Sequence, residues 1–302
     1  MNITLGADMT DIDLHIHTSA SQDGELSPRE VFERAKTLGL RAIAFADHDS
    51  VASLDEGVGL SREFDIDFAP AVEITTRLLG HDPHLLGYFI DWHSPKLTET
   101  LERIGEKLVE QARGRVARLR EIGFDVEFEE VVQASAGKPP TAVAIVTALK
   151  TKPRNLDNPE FARYITGDRS DSPTYNFYWD YFRAGGPAFV ELETLTTIEA
   201  VALVHELGGA AVMAHPGRTP TELLDKLLGA GLDGIEVYCP THSSEDTARF
   251  ERYAREHGLL MTAGSDYHGP TIKPDVKLGE LPAGDYGMFL ALRERAEKRR
   301  KN

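Results

Sequence analysis

The sequence predicts an α/β protein in which strands and helices alternate around a parallel sheet, either open or closed. Short apolar runs alternate with helical stretches in residues 11–93, and the same alternation returns from residue 188. Repeating strand–helix units are typical of a parallel sheet with helices on its faces. In addition, polar residues follow most of the apolar runs, at the end where barrel enzymes build their sites.

The first region contains four predicted strands and a well-marked helix. Ser27 is a good N-cap, Pro28 suits the first turn, and Glu30 completes a capping box. Gly39 ends this helix near residue 38. The predicted strands of the region are 12–17, 41–46, 68–73 and 85–89.

The middle region has a different character. Residues 95–122 form one long, charged, helical pattern, and residues 150–180 are rich in Pro, Asn, Asp and aromatic side chains. We interpret 94–184 as a mostly helical insertion with irregular loops. It separates a first part of the α/β domain, 1–93, from a second part, 185–302.

The second part of the α/β domain begins with a helix that Thr196 and Glu199 cap. A basic helical segment ends the chain at 293–301. Between them lie three predicted strands, 210–214, 234–238 and 259–263.

Composition narrows the class of protein. Hydrophobic residues make up 41% of the 302 residues and charged residues 27%, as in an ordinary globular enzyme. No apolar run reaches the roughly 18 residues of a membrane span, and no signal peptide is recognisable at the start. Cys239 is the single cysteine, which excludes an internal disulfide and suits a reducing compartment. We therefore expect a cytoplasmic protein.

The net charge of −16 argues against a surface that coats nucleic acid, because phosphate backbones require a basic footprint. Extended nucleic acid is therefore not an expected partner. A small phosphorylated substrate remains compatible with this charge.

Histidines and carboxylates recur at the predicted strand ends. His15 and His17 lie two residues apart on a strand, so both side chains point to one face and can bind one ion. Carboxylates crowded in one pocket repel each other unless cations lie between them. The pattern predicts a polynuclear metal site built from His15, His17, His48, Glu73, His84, His215, Asp266 and His268.

Other polar residues have ordinary interpretations. Asp47 and Asp49 could simply cap the helix that follows them. Cys239 follows a strand, where we expect a neutral packing role. The remaining histidines are expected to be surface or satisfied core residues: His81, His93, His205 and His257.

The motifs, in their order along the chain, resemble those of the PHP (polymerase and histidinol phosphatase) family. They read DLHIHTSASQDG, FADHDS, AVEIT, HLLGYFI, AHPGR, IEV and GSDYHG. The chain is most similar to the small stand-alone phosphoesterases with a helical insertion, among them 3′,5′-nucleotide bisphosphatases. The resemblance implies a distorted (β/α)7 barrel, and thus a closed sheet.

The resemblance also implies the metal ligands. A first ion would be held by His15, His17, Glu73 and Asp266. Glu73 would bridge to a second ion, which His84 and His215 also hold, and a third would be held by Asp23, His48 and His268. A mixed nitrogen and oxygen set without thiolate suits Mn, Fe or Zn, so we expect two to three such divalent ions.

The expected reaction is hydrolysis of a small nucleotide or sugar phosphate ester, with a metal-bridging hydroxide oriented by Asp266 as nucleophile. Arg218 could bind the phosphate, because its fork matches phosphate geometry. His242 resembles the family position for a substrate-contacting or leaving-group histidine.

The bisphosphatase relatives carry an R-P-H-I-A motif that here reads GKPPTAVA, at 137–144. Lys138 can replace that arginine only as a point charge, and the histidine is absent. A substrate with one compact phosphate group, such as a ribose cyclic phosphodiester, is therefore an alternative to a 3′,5′-bisphosphate.

Three further functions stay open. The chain could be a 5′–3′ exoribonuclease on short RNA, or a histidinol-phosphatase-like phosphomonoesterase. It could also be a non-enzymatic barrel that keeps its metals for structure while the insertion binds a partner.

Overall fold

Seven strands form one sheet in sequence order in the computed structural model of the chain, which describes residues 10–217 and 219–301. Parallel pairs join β1 to β2, β2 to β3, β5 to β6 and β6 to β7, and a bridge between Ile16 and Tyr267 brings the two edges together. The sheet is therefore a nearly closed barrel, as expected. The strands are β1 (Ile12–Ile16), β2 (Ala42–Phe45), β3 (Asp67–Thr75), β4 (His84–Tyr88), β5 (Ala210–Met213), β6 (Gly234–Tyr238) and β7 (Leu260–Ala263).

Helices surround the barrel and form much of the segment between β4 and β5. They are α1 (Pro28–Leu38), α2 (Leu54–Phe64), α3 (Pro95–Glu121), α4 (Phe128–Ala134), α5 (Ala142–Lys150), α6 (Pro153–Leu156), α7 (Pro159–Ala162), α8 (Pro173–Phe177), α9 (Thr197–Glu206), α10 (Thr221–Gly229), α11 (Ser244–His257) and α12 (Tyr286–Lys301), with a π-helical turn at Tyr178–Phe182. No helix of the described residues combines the length and the apolar character needed to cross a bilayer.

One strand departs from the expected parallel arrangement. β4 runs antiparallel to both β3 and β5. The segment 76–83 joins β3 to β4 without a helix, and it is shorter than the dozen or so residues of a parallel crossover. The sheet is therefore mixed, and the starting end of β4 lies at the edge where its neighbours end.

The predicted caps of two helices are confirmed. The hydroxyl of Ser27 accepts from the backbone of Glu30 at the start of α1, and Gly39 ends that helix with a left-handed φ of 76°. Thr196 and Glu199 form the same reciprocal box at the start of α9. These local signals fix where the helices begin and end, and hence the lengths of the loops at the barrel edge.

Contacts divide the chain into two compact units, residues 1–101 with 195–302 and residues 102–194. The boundaries inferred from the sequence, 94 and 184, lie earlier in the chain. The first turn of α3 belongs to the barrel unit, where Lys96 pairs with Glu206. The second unit has its own aromatic core, in which the rings of Phe177 and Tyr181 stack at 4.3 Å. We propose that this unit is an insertion domain.

Candidate metal centre

The candidate ligands collect at one edge of the barrel. The strands other than β4 point their carboxyl ends there, and the side chains follow from those ends. His15 and Glu73 lie within strands, and the others lie at a strand's end or in the loop beyond it: His17, Asp23, His48, His84, His215, Asp266 and His268.

His84 is the exception that the sheet explains. It is the first residue of β4, whereas the other candidate ligands lie near or beyond the carboxyl ends of their strands. Because β4 is antiparallel, its start pairs with the end of β3, where Thr75 lies opposite His84. Strand reversal thus brings His84 to the same edge as the other candidate ligands.

One oxygen of the buried Glu73 faces three imidazoles. Glu73 Oε2 lies 3.1 Å from His15 Nε2, 3.2 Å from His17 Nε2 and 3.1 Å from His48 Nδ1. Asp266 completes this side, since its Oδ1 lies 3.2 Å from His17 Nε2. Ligand atoms of His15, His17, Glu73 and Asp266 all lie within 4.8 Å of one another, as one ion requires.

The other oxygen of Glu73 faces a second set. Glu73 Oε1 lies 2.9 Å from His84 Nδ1 and 2.8 Å from His215 Nε2. His48, Glu73 and His84 also form a compact group of possible ligands. Glu73 therefore has the geometry of a bridging carboxylate between two neighbouring positions.

A third group surrounds Asp23. Ligand atoms of His17, Asp23, His48 and His268 lie within 4.8 Å of one another, and His268 Nε2 is 3.4 Å from Asp23 Oδ1. The ring of His268 stacks on that of His17 with centroids 3.9 Å apart. The set expected from the resemblance is therefore gathered in space, although which residues hold an ion remains a proposal.

The donor set fits divalent cations. His15 Nδ1 faces the carboxylate of Glu236 at 3.0 Å, so in a metal-binding, neutral ring the proton would reside on Nδ1 and Nε2 would offer its lone pair to the cation. That Nε2 lies 3.1 Å from His17 Nε2 and 3.1 Å from Glu73 Oε2. Positive charge must balance the carboxylates of such a cluster, and a divalent cation bound by these nitrogen and oxygen atoms can supply it.

Burial and neighbouring charges shift the pKa values of the cluster in opposite directions, and which effect prevails differs between residues. Burial disfavours charge on His15, but Glu236 and Glu73 hold its pKa well above the usual value. Burial lowers the pKa of His48 to about 3, although Glu73 opposes the shift. Burial also disfavours charge on Glu73, yet the surrounding histidines, His48 first, keep its pKa well below normal. The bridging carboxylate is therefore ionised at neutral pH.

Two nearby aspartates organise the loops. Asp49 accepts from the backbone and hydroxyl of Thr75 at 2.8 and 2.7 Å, which ties the loop after β2 to β3. Asp47 accepts from the backbone of Thr18 at 2.6 Å and from the hydroxyl of Ser53 at 2.5 Å. These aspartates therefore tie the loops after β1 and β2 to each other and to the end of β3. The expectation that they cap the following helix is wrong, because the N-cap of α2 is Ser53 and no side chain caps it.

Glu236 contacts the cluster, although the sequence alone did not predict a role for it. It is fully buried within β6, faces His15 Nδ1, and accepts from the backbone of His215 at 2.8 Å. A carboxylate on the far nitrogen of a metal-binding histidine sets its tautomer and orientation. The signal in the sequence was a glutamate inside an otherwise apolar strand, Gly234–Tyr238.

Lys273 was missed as well. Its Nζ lies 2.5 Å from Asp266 Oδ2. It belongs to the loop between β7 and α12, away from every motif considered in the sequence. No local periodicity marks such a residue, because only the path of the loop brings it to the cluster.

The expected substrate contacts have three different outcomes. Arg218 lies outside the described residues. His242 uses both ring nitrogens on backbone: Nδ1 donates to Val237 O at 2.9 Å, and Nε2 accepts from Gly217 N at 3.2 Å. Contact with a substrate would require one of these bonds to open. Lys138 lies in the second unit, before α5. All three assignments remain predictions.

The residues given ordinary roles lie outside the candidate ligand groups of the described chain. His205 pairs with Asp233 at 3.1 Å, and the exposed His93 lies 3.3 Å from Asp55. Cys239 is buried, and this burial raises the pKa of its thiol far above the usual value. It is therefore a neutral thiol.

The sequence of this chain is similar to a known protein family and to several characterised proteins. Residues 13–131 match the family described as PHP domain. The chain is 32% identical over 274 residues to a 3′,5′-nucleoside bisphosphate phosphatase of Chromobacterium violaceum, covering 87% of this chain and 88% of that protein. It is 31% identical to a 5′-3′ exoribonuclease of Haemophilus influenzae, covering 85% and 90% of the two chains.

A third relative and two solved structures are also similar to this chain over most of its length. A phosphoribosyl 1,2-cyclic phosphate 1,2-diphosphodiesterase of Eggerthella lenta is 29% identical, over 89% of this chain and 96% of that one. A structure described as a metal-dependent phosphoesterase from Bifidobacterium adolescentis is 28% identical with a TM-score of 0.76, covering 94% and 96%. A Chromobacterium violaceum structure described as an amidohydrolase with bound sulfate and no metal is 28% identical with a TM-score of 0.77, covering 95% and 97%.

Proposed function

This chain belongs to the PHP domain family, and on that premise we propose that it hydrolyses a small nucleotide or sugar phosphate ester at its histidine–carboxylate cluster. The enzyme is a metal-dependent phosphoesterase. The observation that carries the assignment to this cluster is Glu73, whose two oxygens each face a separate set of imidazoles. A bridging carboxylate between two cation positions suits an ester whose attacking and leaving oxygens both need stabilisation.

The proposed centre holds two to three divalent ions, with Mn, Fe and Zn as the candidates. Such ions, when bound, lower the pKa of a water toward neutrality and offset the charge on the phosphoryl oxygens. The proposed ligands are His15, His17, Glu73 and Asp266 for the first, Glu73, His84 and His215 for the second, and Asp23, His48 and His268 for the third.

The chain's own groups position the reactants. Asp266 Oδ1 is directed at His15 and His17, so this carboxylate can accept a proton from the attacking water and orient it. Glu236 holds the ring of His15 through Nδ1. Because these groups are buried and mutually bonded, they keep their geometry without reorganising during the reaction.

Three residues are proposed to select the substrate. Arg218 follows His215 by three residues, so it can reach a phosphoryl group held at the centre. His242 holds the loop at Gly217 through its Nε2, and can thereby position that arginine. Lys138, in the insertion, would contact a second anionic group. Relatives named for a 3′,5′-bisphosphate and for a ribosyl cyclic phosphate support this substrate class.

The second candidate is 5′–3′ exoribonuclease activity on short RNA. The Haemophilus influenzae relative carries that name at 31% identity, over 90% of its length. The net charge of −16 favours a compact substrate over an extended strand, because each bound phosphate needs a cationic partner.

A panel of esters tests the proposal. Phosphate or nucleotide release is measured from adenosine 3′,5′-bisphosphate, ribose cyclic phosphate, histidinol phosphate and a short 5′-phosphorylated RNA. Protein purified without chelator is compared with Glu73→Gln, which removes the bridging charge. We expect the wild type to act fastest on one of the first two esters. Equal, background rates of the wild type and Glu73→Gln on every ester would refute the proposal.

A further inference from the structure

Lys273 contacts the candidate metal centre without occupying it. Its Nζ lies 2.5 Å from Asp266 Oδ2. The other oxygen, Asp266 Oδ1, lies 3.2 Å from His17 Nε2 and 3.4 Å from His268 Nδ1. Asp266 therefore presents one oxygen to the imidazoles and the other to the ammonium. Lys273 therefore bonds to Asp266 Oδ2 and not to Oδ1, the oxygen that faces the proposed ion position.

The loop that carries Lys273 is anchored on both sides of it. The backbone of Thr271 donates to Glu25 Oε2 at 2.9 Å, and the backbone of Gly279 donates to Asp13 Oδ2 at 2.9 Å. Asp13 lies in β1, next to the candidate ligands of that strand. The backbone of the loop is therefore attached to the barrel unit on both sides of Lys273, independently of the contact between its ammonium and Asp266.

The ammonium retains donors for a ligand. Among the residues that the structure describes, Asp266 is the one hydrogen-bond partner of the Lys273 side chain, and an ammonium has three donors. The side chain is 35% exposed, whereas that of Asp266 is 9% exposed. Lys273 is thus a charged group that solvent and solutes can reach.

We propose that Lys273 binds a phosphoryl oxygen of the substrate, as a specificity residue of the site; this rests on the proposed phosphoesterase function. A phosphate ester at the centre brings negative charge close to Asp266, Asp23 and Glu73, which repel it. A lysine point charge beside these carboxylates offsets that repulsion and can bind phosphate with its remaining donors. Its recognition chemistry is that of a phosphate monoester or of free inorganic phosphate.

The test uses inorganic phosphate and the metal-loaded protein. Lys273→Met removes the charge and keeps an unbranched side chain that is one atom shorter, and Lys273→Arg keeps the charge. Lys277→Met is the matched control, since Lys277 lies in the same loop, is 71% exposed and pairs with Glu280. Titration calorimetry gives the phosphate affinity, elemental analysis gives the metal content, and steady-state kinetics gives KM and kcat on the best ester of the panel.

We expect Lys273→Met to weaken phosphate binding about 10- to 100-fold, as for a lost charge-assisted hydrogen bond, and to raise KM to a similar extent. Its metal content should stay at the wild-type level. Lys273→Arg should recover most of the affinity, and Lys277→Met should match the wild type.

Three results would overturn the inference. The first is an unchanged phosphate affinity in metal-loaded Lys273→Met, and the second is no phosphate binding by the wild type. The third is loss of metal from Lys273→Met with normal affinity in the remaining loaded molecules, which would mean that Lys273 acts only on Asp266. Phosphate binding that depends on Lys273 in a protein inactive on every ester would instead refute the proposed function alone.

Discussion

At the scale of single residues, Asp266 combines an unusual backbone with a central position. Its φ of 57° is left-handed, and its carboxylate lies between His17 and Lys273. Such backbone conformations in residues other than glycine cost free energy and cluster at functional sites. The backbone conformation of Asp266 is therefore a further reason to test this residue, and its catalytic role stays a prediction.

We predict that Asp266→Asn lowers kcat about 100-fold or more. The asparagine amide cannot accept a proton from the attacking water, and it orients that water less effectively than a carboxylate does. Asparagine tolerates a left-handed φ, so the fold should persist. Steady-state kinetics, circular dichroism and metal analysis check this. A wild-type kcat in a variant that retains its metal would show that Asp266 has no such role.

Glu236 gives a second prediction at this scale. Glu236→Gln should weaken metal affinity about 10- to 100-fold, as loss of the carboxylate behind a metal-binding histidine commonly does. The amide can still accept from His15 Nδ1, but its NH2 group meets the donating backbone of His215. Competition with a chelator measures the affinity. The exposed Glu245→Gln, at the start of α11, is the control, and equal affinities of the two variants would contradict the prediction.

At the scale of elements, a buried aspartate ties the last helix to the sheet. Asp233 precedes β6 and accepts from the backbone of Ala211 at 2.8 Å. It also lies 3.1 Å from His205 of α9, and 2.7 and 2.9 Å from Arg295 and Arg299 of α12. One carboxylate therefore joins two strands and two helices.

We predict that Asp233→Asn lowers the free energy of unfolding by about 2–5 kcal/mol at pH 7, since it leaves two arginines without their buried partner. Burial disfavours charge on Asp233, but His205, Arg299 and Arg295 hold its pKa well below the usual value. A depressed pKa contributes stability above the unfolded value of about 4, and that stability is lost as pH falls below it. The deficit of the variant should therefore shrink in acid.

Urea unfolding at pH 7 and at lower pH measures this dependence. Asp275→Asn, on the exposed loop before α12, is the matched control and should be neutral at both. A deficit of Asp233→Asn that stayed constant with pH would mean that charge is not the source of its stabilising effect.

At the scale of the whole molecule, the barrel edge concentrates imidazoles and carboxylates from strands far apart in sequence. His15 and Asp266 belong to β1 and the loop after β7, yet their ligand atoms lie 3.8 Å apart. Bound cations would therefore link the two ends of the barrel chain, and their removal should loosen the closed sheet.

We predict two or three transition-metal ions per chain by elemental analysis of protein purified without chelator. Stripping them should lower the unfolding temperature, because a ligand held at about 100 times its Kd stabilises the folded state by roughly 3 kcal/mol. Calorimetry before and after chelation, with re-addition of Mn, Fe or Zn, checks the effect. Less than one equivalent of metal, or an unchanged unfolding temperature, would contradict it.

The sequence by itself determined the seven strands, the helix caps and the candidate ligands. These depend on local periodicity, on residues three positions apart such as Ser27 and Glu30, and on motifs such as DLHIH that are continuous in the chain. The ends of parallel strands meet at a common edge, so most of the candidate ligands could be named from the strand pattern. The resemblance to the PHP family added Asp23 and the grouping around three ions.

Only the tertiary structure decided the direction of β4, and with it the arrival of His84 at the cluster. It also decided that Glu236 lies behind His15 and that Lys273 meets Asp266. These contacts join residues distant in sequence, and a loop such as the one carrying Lys273 has no periodicity that predicts its path. Closure of the barrel adds the contacts across its seam, because it brings β1 against the end of β7 and thereby His15 near Asp266.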